Sequence, residues 1–158
     1  MKRILVGYDG TPGARLALEE AAAIARAFHG EVVVATIEEP INVVPVAEPF
    51  AYRPGPDEEA LAARADEVDR LAQEAGAYLA AERVPAQVVT AAGAPDVELV
   101  TIADARNVDL IAVGTSEPGF VARLLKGSTS ESVARRSHCN VLIVHAAPPD
   151  SAPPDSGS

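Results

Sequence analysis

Apolar residues in this chain fall into two patterns. Short unbroken runs, rich in Val, Ile and Leu and bounded by turn or polar residues, alternate with longer stretches in which apolar positions recur every three or four residues. The runs have the length of strands: Arg3–Tyr8, Glu31–Ile37, Asp109–Val113 and Asn140–His145, with a weaker fifth candidate, "AQVVTA", at Ala86–Ala91. Near-continuous apolarity, rather than strict alternation, marks strands covered on both faces, as in a parallel sheet.

The stretches between them predict helices. Thr11 is a capping residue and Pro12 suits a first helical position. Ala14, Leu18, Ala21, Ala25 and Phe28 then recur at helical spacing, and Gly30 is the expected stop. A longer helix is expected from Asp57 to Glu82, with Leu61, Ala65, Val68, Ala72, Ala75 and Leu79 on one face. Pro95–Arg106 carries Val97, Val100, Ile102 and Ala103, and Ser128–Arg136 places Val133 inward. The order βαβαβαβαβ predicts an α/β fold, an open five-stranded parallel sheet with helices on both faces.

Two stretches break the rhythm. Residues 38–56 hold five prolines, Pro40, Pro45, Pro49, Pro54 and Pro56, a connection long enough to suggest a lid or partner surface. Residues 147–158 hold four prolines, two aspartates and three serines and read as a disordered acidic tail after one domain over 1–146.

Composition narrows the function. Aromatics make up 4% of the chain, so the core must be built from Ala, Val, Leu and Ile. The formal charge of −10 argues against nucleic acid and anionic membranes as partners, because both want clustered Lys and Arg. Any phosphate site must then be local, made from backbone N–H groups and helix N-termini. Cys139 is the only cysteine, which fits a reducing cytoplasm, and reads as a small buried hydrophobe. The apolar run before Asp9 is too short for a signal-peptide core. No run approaches the ~20 residues that span a bilayer.

In an open sheet of this kind, ligands bind beyond the carboxyl ends of the strands, where strand order reverses. Two segments have that placement: Gly7-Tyr8-Asp9-Gly10-Thr11 after the first strand, and Gly114 onward after the fourth. If those strands are neighbours, the two loops share one crevice. Each residue also has a structural reading. Asp9 suits a turn, Ser128 and Thr129 suit helix caps, and Gly7 and Gly114 suit tight strand exits. His29, His138 and His145 have no metal spacing. "KGST" has its Lys before the Gly, so it is not the end of a Walker A loop. Nucleophile elbow and metal cluster are both missing, and no catalytic residue is assigned.

Three segments, "ILVGYDGT", "GAPDVELVTIADARNVDLIAVGT" and "RLLKGSTSESVARRSHCNVLIVH", together resemble the universal stress protein family over roughly residues 2 to 146. The resemblance implies a five-stranded parallel α/β sheet. It also implies a cytoplasmic homodimer paired through the last strand, here Val141–Val144, and stress signalling through unidentified protein partners. Many members bind ATP, and others do not. The resemblance points to ATP or AMP, accompanied by Mg²⁺, as the ligand. Asp9 matches the acidic residue near the nucleoside, Ile37 the strand position whose backbone meets adenine, and Ser128 and Thr129 the phosphate end. ATP-binding members carry Gly, two residues, Gly, nine residues, Gly, then Ser or Thr. Gly114, Gly127 and Ser128 match this pattern, but Glu117 stands at the second glycine. Glutamate crowds the backbone approach and brings a negative charge to a polyanion. Arg123 and Lys126 offset part of that charge. Two readings follow: an adenine-nucleotide-binding module, or a nucleotide-free dimer acting through protein contacts. In the first, any slow hydrolysis would draw on Asp9 as the available carboxylate.

Overall fold

The computed structural model describes residues 2–40, 58–115 and 129–146. In chain order these form β1 (Arg3–Gly7), α1 (Pro12–Phe28), β2 (Glu31–Glu38), α2 (Glu58–Ala81), β3 (Ala86–Ala92), α3 (Pro95–Ala105), β4 (Leu110–Thr115), α4 (Thr129–Arg136) and β5 (Asn140–His145). All strand pairings are parallel, and the sheet order is β3-β2-β1-β4-β5. This is the α/β arrangement expected from the alternation of runs. The calls that fall on residues 41–57, 116–128 and 147–158 lie outside the described residues, including Asp57 and Ser128 as the expected first residues of two helices.

The unbroken apolar runs serve two cores at once. Successive side chains of a strand point to opposite faces. Ile4, Val6, Val32, Val34, Leu110 and Ala112 pack under α1 and α2, against Ala17, Ala21, Leu71, Ala75 and Leu79. Leu5, Val33, Ala35, Ile111 and Val113 pack on the other face, against Leu99, Ile102 and Ala103 of α3 and Val133 of α4. β3 has no such double cover. It forms one edge, most of its residues are exposed, and Val88 is 44% exposed, which explains its weaker sequence signal.

Helix α1 begins as its sequence suggests. Thr11 Oγ1 accepts the Ala14 amide at 3.3 Å, and Pro12 occupies the first turn. The helix ends at Phe28, before the expected stop at Gly30. The left-handed residue is His29 (φ 53°), one position before Gly30. Gly30 serves a different purpose, since a Cβ there would lie 2.7 Å from the Lys2 carbonyl oxygen. Phe28 is largely exposed, although Ala25 in the same last turn is buried. Only the second half of α2 is buried, through Leu71, Ala72, Ala75 and Leu79. The apolar stripe continues through Leu61, Ala65 and Val68, but none of these three is buried. On α3, Val97 is likewise exposed, while Leu99, Ile102 and Ala103 face the sheet.

Candidate functional site

β1 and β4 are hydrogen-bonded neighbours, with Ile4 beside Leu110, Leu5 beside Ile111 and Val6 beside Ala112. The chain leaves β1 toward β2 on one side and leaves β4 toward β5 on the other. Their carboxyl ends are therefore the switch point where a crevice opens. One crevice there is lined by Gly7, Asp9 and Thr11 from the β1 exit, Ala35, Ile37 and Glu39 from β2 and just past its end, and Gly114 from β4. Pro95 and Leu99 of α3 form a wall, and Thr129 and Ser130 open α4 beside it. Five of the sequence candidates, Gly7, Asp9, Ile37, Gly114 and Thr129, thus meet in one place. Gly127 and Ser128, like Glu117, Arg123 and Lys126, lie outside the described residues.

The β1 exit is held by its own polar groups. Asp9 Oδ1 accepts the Thr11 amide at 3.0 Å and the Thr11 hydroxyl at 2.6 Å. One carboxylate oxygen thus closes the turn, and Thr11 passes the order on to α1. Gly10 has φ +75°, and a Cβ there would meet Leu71 Cδ2 at 2.6 Å, so the turn needs glycine on both counts.

Beneath that turn, Tyr8 is 3% exposed, its amide donates to the Ala35 carbonyl, and its hydroxyl donates to Glu74 of α2 at 2.5 Å. Arg15 and Arg70 lie 3.3 and 3.0 Å from the same carboxylate. Burial raises the Tyr8 phenol above its ordinary value, and the Glu74 hydrogen bond adds to this. Glu74 is lowered, first by the Tyr8 hydrogen bond and then by its arginines.

The two glycines at the strand exits do different jobs. A Cβ on Gly7 would press on Leu99 at 3.1 Å, so its absence makes room for the α3 wall. A Cβ on Gly114 would sit 2.0 Å from the Gly13 carbonyl carbon, and one on Gly13 would sit 2.3 Å from the Thr115 oxygen. The first turn of α1 therefore lies backbone-to-backbone on the exit of β4. Gly114 is required by this helix–strand contact, and its partner Gly13 carried no recognisable signal in the sequence.

At the α4 side, Ser132 Oγ donates to Asp96 Oδ2, and Arg136 Nε lies 3.7 Å from that same oxygen. Asp96 is held below the usual aspartate value, first by the Ser132 hydroxyl and also by the Val97 amide and Arg136. Sequence reasoning also missed Pro95, Leu99, Glu39 and Ser130 as lining residues. Only Pro95, a proline opening a helix after a strand, carried a usable positional signal.

These features fit an adenylate in part. The crevice is concave, sits at the switch point, and has an apolar side (Ala35, Ile37, Leu99) and a helix N-terminus. Its described lining also holds two carboxylates, Asp9 and Glu39, and no Lys or Arg. Among the described residues, no group of His, Cys, Asp or Glu is arranged to hold a metal ion, and no helix is long and apolar enough to cross a membrane.

The profile of the Universal stress protein family matches residues 1–145. A Thermus aquaticus protein, the universal stress protein in the QAH/OAS sulfhydrylase 3' region, is 33% identical over 143 residues, spanning 90% of this chain and 98% of its own. The crystal structure of a universal stress protein in complex with cAMP superposes with a TM-score of 0.70 at 28% identity, over 92% of this chain and 98% of that one. An Arabidopsis thaliana family protein with AMP bound superposes at 0.69 over 98% and 97%, but at 12% identity it shares the fold alone. The chain belongs to the universal stress protein family.

Proposed function

We propose that this chain is an adenine-nucleotide-binding stress-response module of the cytoplasm, and that its ligand occupies the crevice between the β1 and β4 exits. The observation that carries this reading is the convergence of Gly7, Asp9, Ile37, Gly114 and Thr129 on one crevice at the switch point. Ile37 and Leu99 offer an apolar slot for a base, Asp9 offers a carboxylate oxygen to a ribose hydroxyl, and α4 presents its first turn to phosphate. The cAMP-bound relative supports an adenylate as the ligand class. Asp9 and Glu39, the two carboxylates of the described lining, favour the singly charged cAMP over the more highly charged AMP and ATP–Mg²⁺. Signalling would follow if ligand binds one conformation of the chain better than another. No catalytic step is proposed.

Thermal unfolding with AMP, cAMP or ATP–Mg²⁺ tests this. A ligand at 100 times its Kd adds about 2.7 kcal/mol to stability. An adenylate that binds should raise the melting temperature, cAMP the most at equal concentration. If none of the three shifts it, the nucleotide reading is wrong. The second reading, a nucleotide-free dimer in which Glu117 replaces the second motif glycine, would then stand. Glu117→Gly separates the two: binding that appears only in that variant identifies Glu117 as the block.

The homodimer is proposed through β5. Residues Val141–Val144 are half-buried and end the sheet, and no proline or lysine interrupts the strand. Sedimentation at micromolar concentration should give twice the chain mass, whereas a monomer contradicts the proposal.

A further inference from the structure

We propose that Asp96 and Ser132 are positioning residues that set the phosphate end of the crevice, and so its preference for phosphorylated adenylates over adenosine. The inference rests on the adenylate reading above. α4 has eight residues, too few to hold a fixed position by its own hydrogen bonds. Its first turn lines the crevice through Thr129 and Ser130, and Val133 is its one buried apolar side chain. With Val133 and Ser130 as its buried residues, this short helix has only a small packed face. The polar link to α3 adds a directional contact to that face. Ser132 Oγ donates to Asp96, Arg136 approaches the same oxygen, and Asp96 also receives the Val97 amide at the start of α3. α3 itself is anchored, with Leu99 2% exposed and seated against the space left by Gly7.

The chain of contacts therefore runs from the β1 exit through α3 to the first turn of α4. The arrangement also manages charge. The Asp96 and Glu131 carboxylates sit near the end of α4 that would meet phosphate, and Arg136 and Arg135 pair with them respectively. A ligand phosphate then meets amide N–H groups at a helix start rather than unbalanced carboxylates. The base end, at Ile37 and Leu99, does not depend on where α4 sits.

Calorimetric titration of Ser132→Ala and Ser132→Thr with AMP and with adenosine distinguishes this role from a structural one. Loss of a hydrogen bond to a charged group should weaken AMP about fivefold in Ser132→Ala, with adenosine unchanged within about twofold. Ser132→Thr keeps a hydroxyl and should bind both as the wild type does. An unchanged ratio of AMP to adenosine affinity in Ser132→Ala overturns the inference, whether both ligands weaken together or neither does. So does a Ser132→Thr protein that loses AMP selectively. A wild-type protein that binds neither ligand overturns the adenylate reading itself, which is a different result.

Discussion

The two ends of the sheet are built from the same backbone groups, yet they use them differently. At the amino ends of the strands, polar groups are spent on the protein itself. The Glu31 amide donates to the Lys2 carbonyl at 2.8 Å, Val32 to Pro85 at 2.9 Å, and Asp109 to Arg3 at 2.9 Å. The Asp109 carboxylate takes the Lys2 and Arg3 amides at 2.7 and 3.0 Å. His29, Arg83 and Asn107, all with positive φ, turn the chain there. At the carboxyl ends, the turn after β1 is closed by a single oxygen of Asp9, and a crevice separates the β1 exit from α4. The difference teaches that side-chain and backbone groups tie the chain starts of β1 and β4 together, whereas their exits part around a crevice.

The sharpest test sets one glycine from each end against the other. Gly114→Ala forces a methyl group into the Gly13 backbone and should cost about 3 kcal/mol or more, with loss of adenylate binding. Gly30→Ala meets the Lys2 carbonyl and should cost about 2 kcal/mol with ligand affinity unchanged. Urea denaturation and calorimetry read the two effects. If both variants lose binding in step with stability, the division between the ends is not real.

Thr11→Ala should cost about 1 kcal/mol through the lost helix cap, and should also weaken binding because Thr11 orders Asp9. Unchanged affinity would separate the cap from the site.

A smaller effect appears with acid. Asp109 is held below its ordinary value of 3.8, first by the Arg3 amide and then by the Lys2 amide. A group with a lowered folded value stabilises fully above its unfolded value and loses that contribution as pH falls through the folded one. Stability should therefore decline below about pH 4, and Asp109→Asn should flatten that decline while leaving adenylate affinity near neutral pH untouched. A decline of unchanged slope in the variant would assign it to other carboxylates.

The smallest effect is spectroscopic. The Tyr8 phenol should titrate above 10.0, and Glu74→Gln should bring it part of the way back, because burial remains. An ultraviolet titration that the variant leaves unmoved would remove Glu74 as a contributor.

The sequence made the sheet legible because doubly covered strands must be apolar throughout, and β1, β2 and β4 are. β3 was fainter because an edge strand tolerates Gln87 and Thr90. The site was legible at Asp9, Gly7 and Gly114, where turn chemistry and motif spacing coincide. The Gly13–Gly114 contact was not, because a glycine early in a helix is ambiguous until its neighbour is known. The Tyr8–Glu74 and Asp96–Ser132 links join residues 66 and 36 positions apart, and no local pattern announces them. Helix α1 ends before Gly30 as its sequence suggested, but that His29 would take the left-handed position and that Gly30 would lie against Lys2 was not legible.

One consequence follows from strands that feed two cores. A strand slipped by a single residue usually exposes its oily side, and this penalty keeps it in place. In β1 the slip would merely exchange Ile4 and Val6 with Leu5, so solvent exposure offers little protection against misalignment. The correct alignment is then set where the run stops, by Asp109 gripping the first residues and by the Tyr8 amide donating to the Ala35 carbonyl at the other end. In this chain, the polar bookends rather than the greasy middle decide which of several equally comfortable sheets is made.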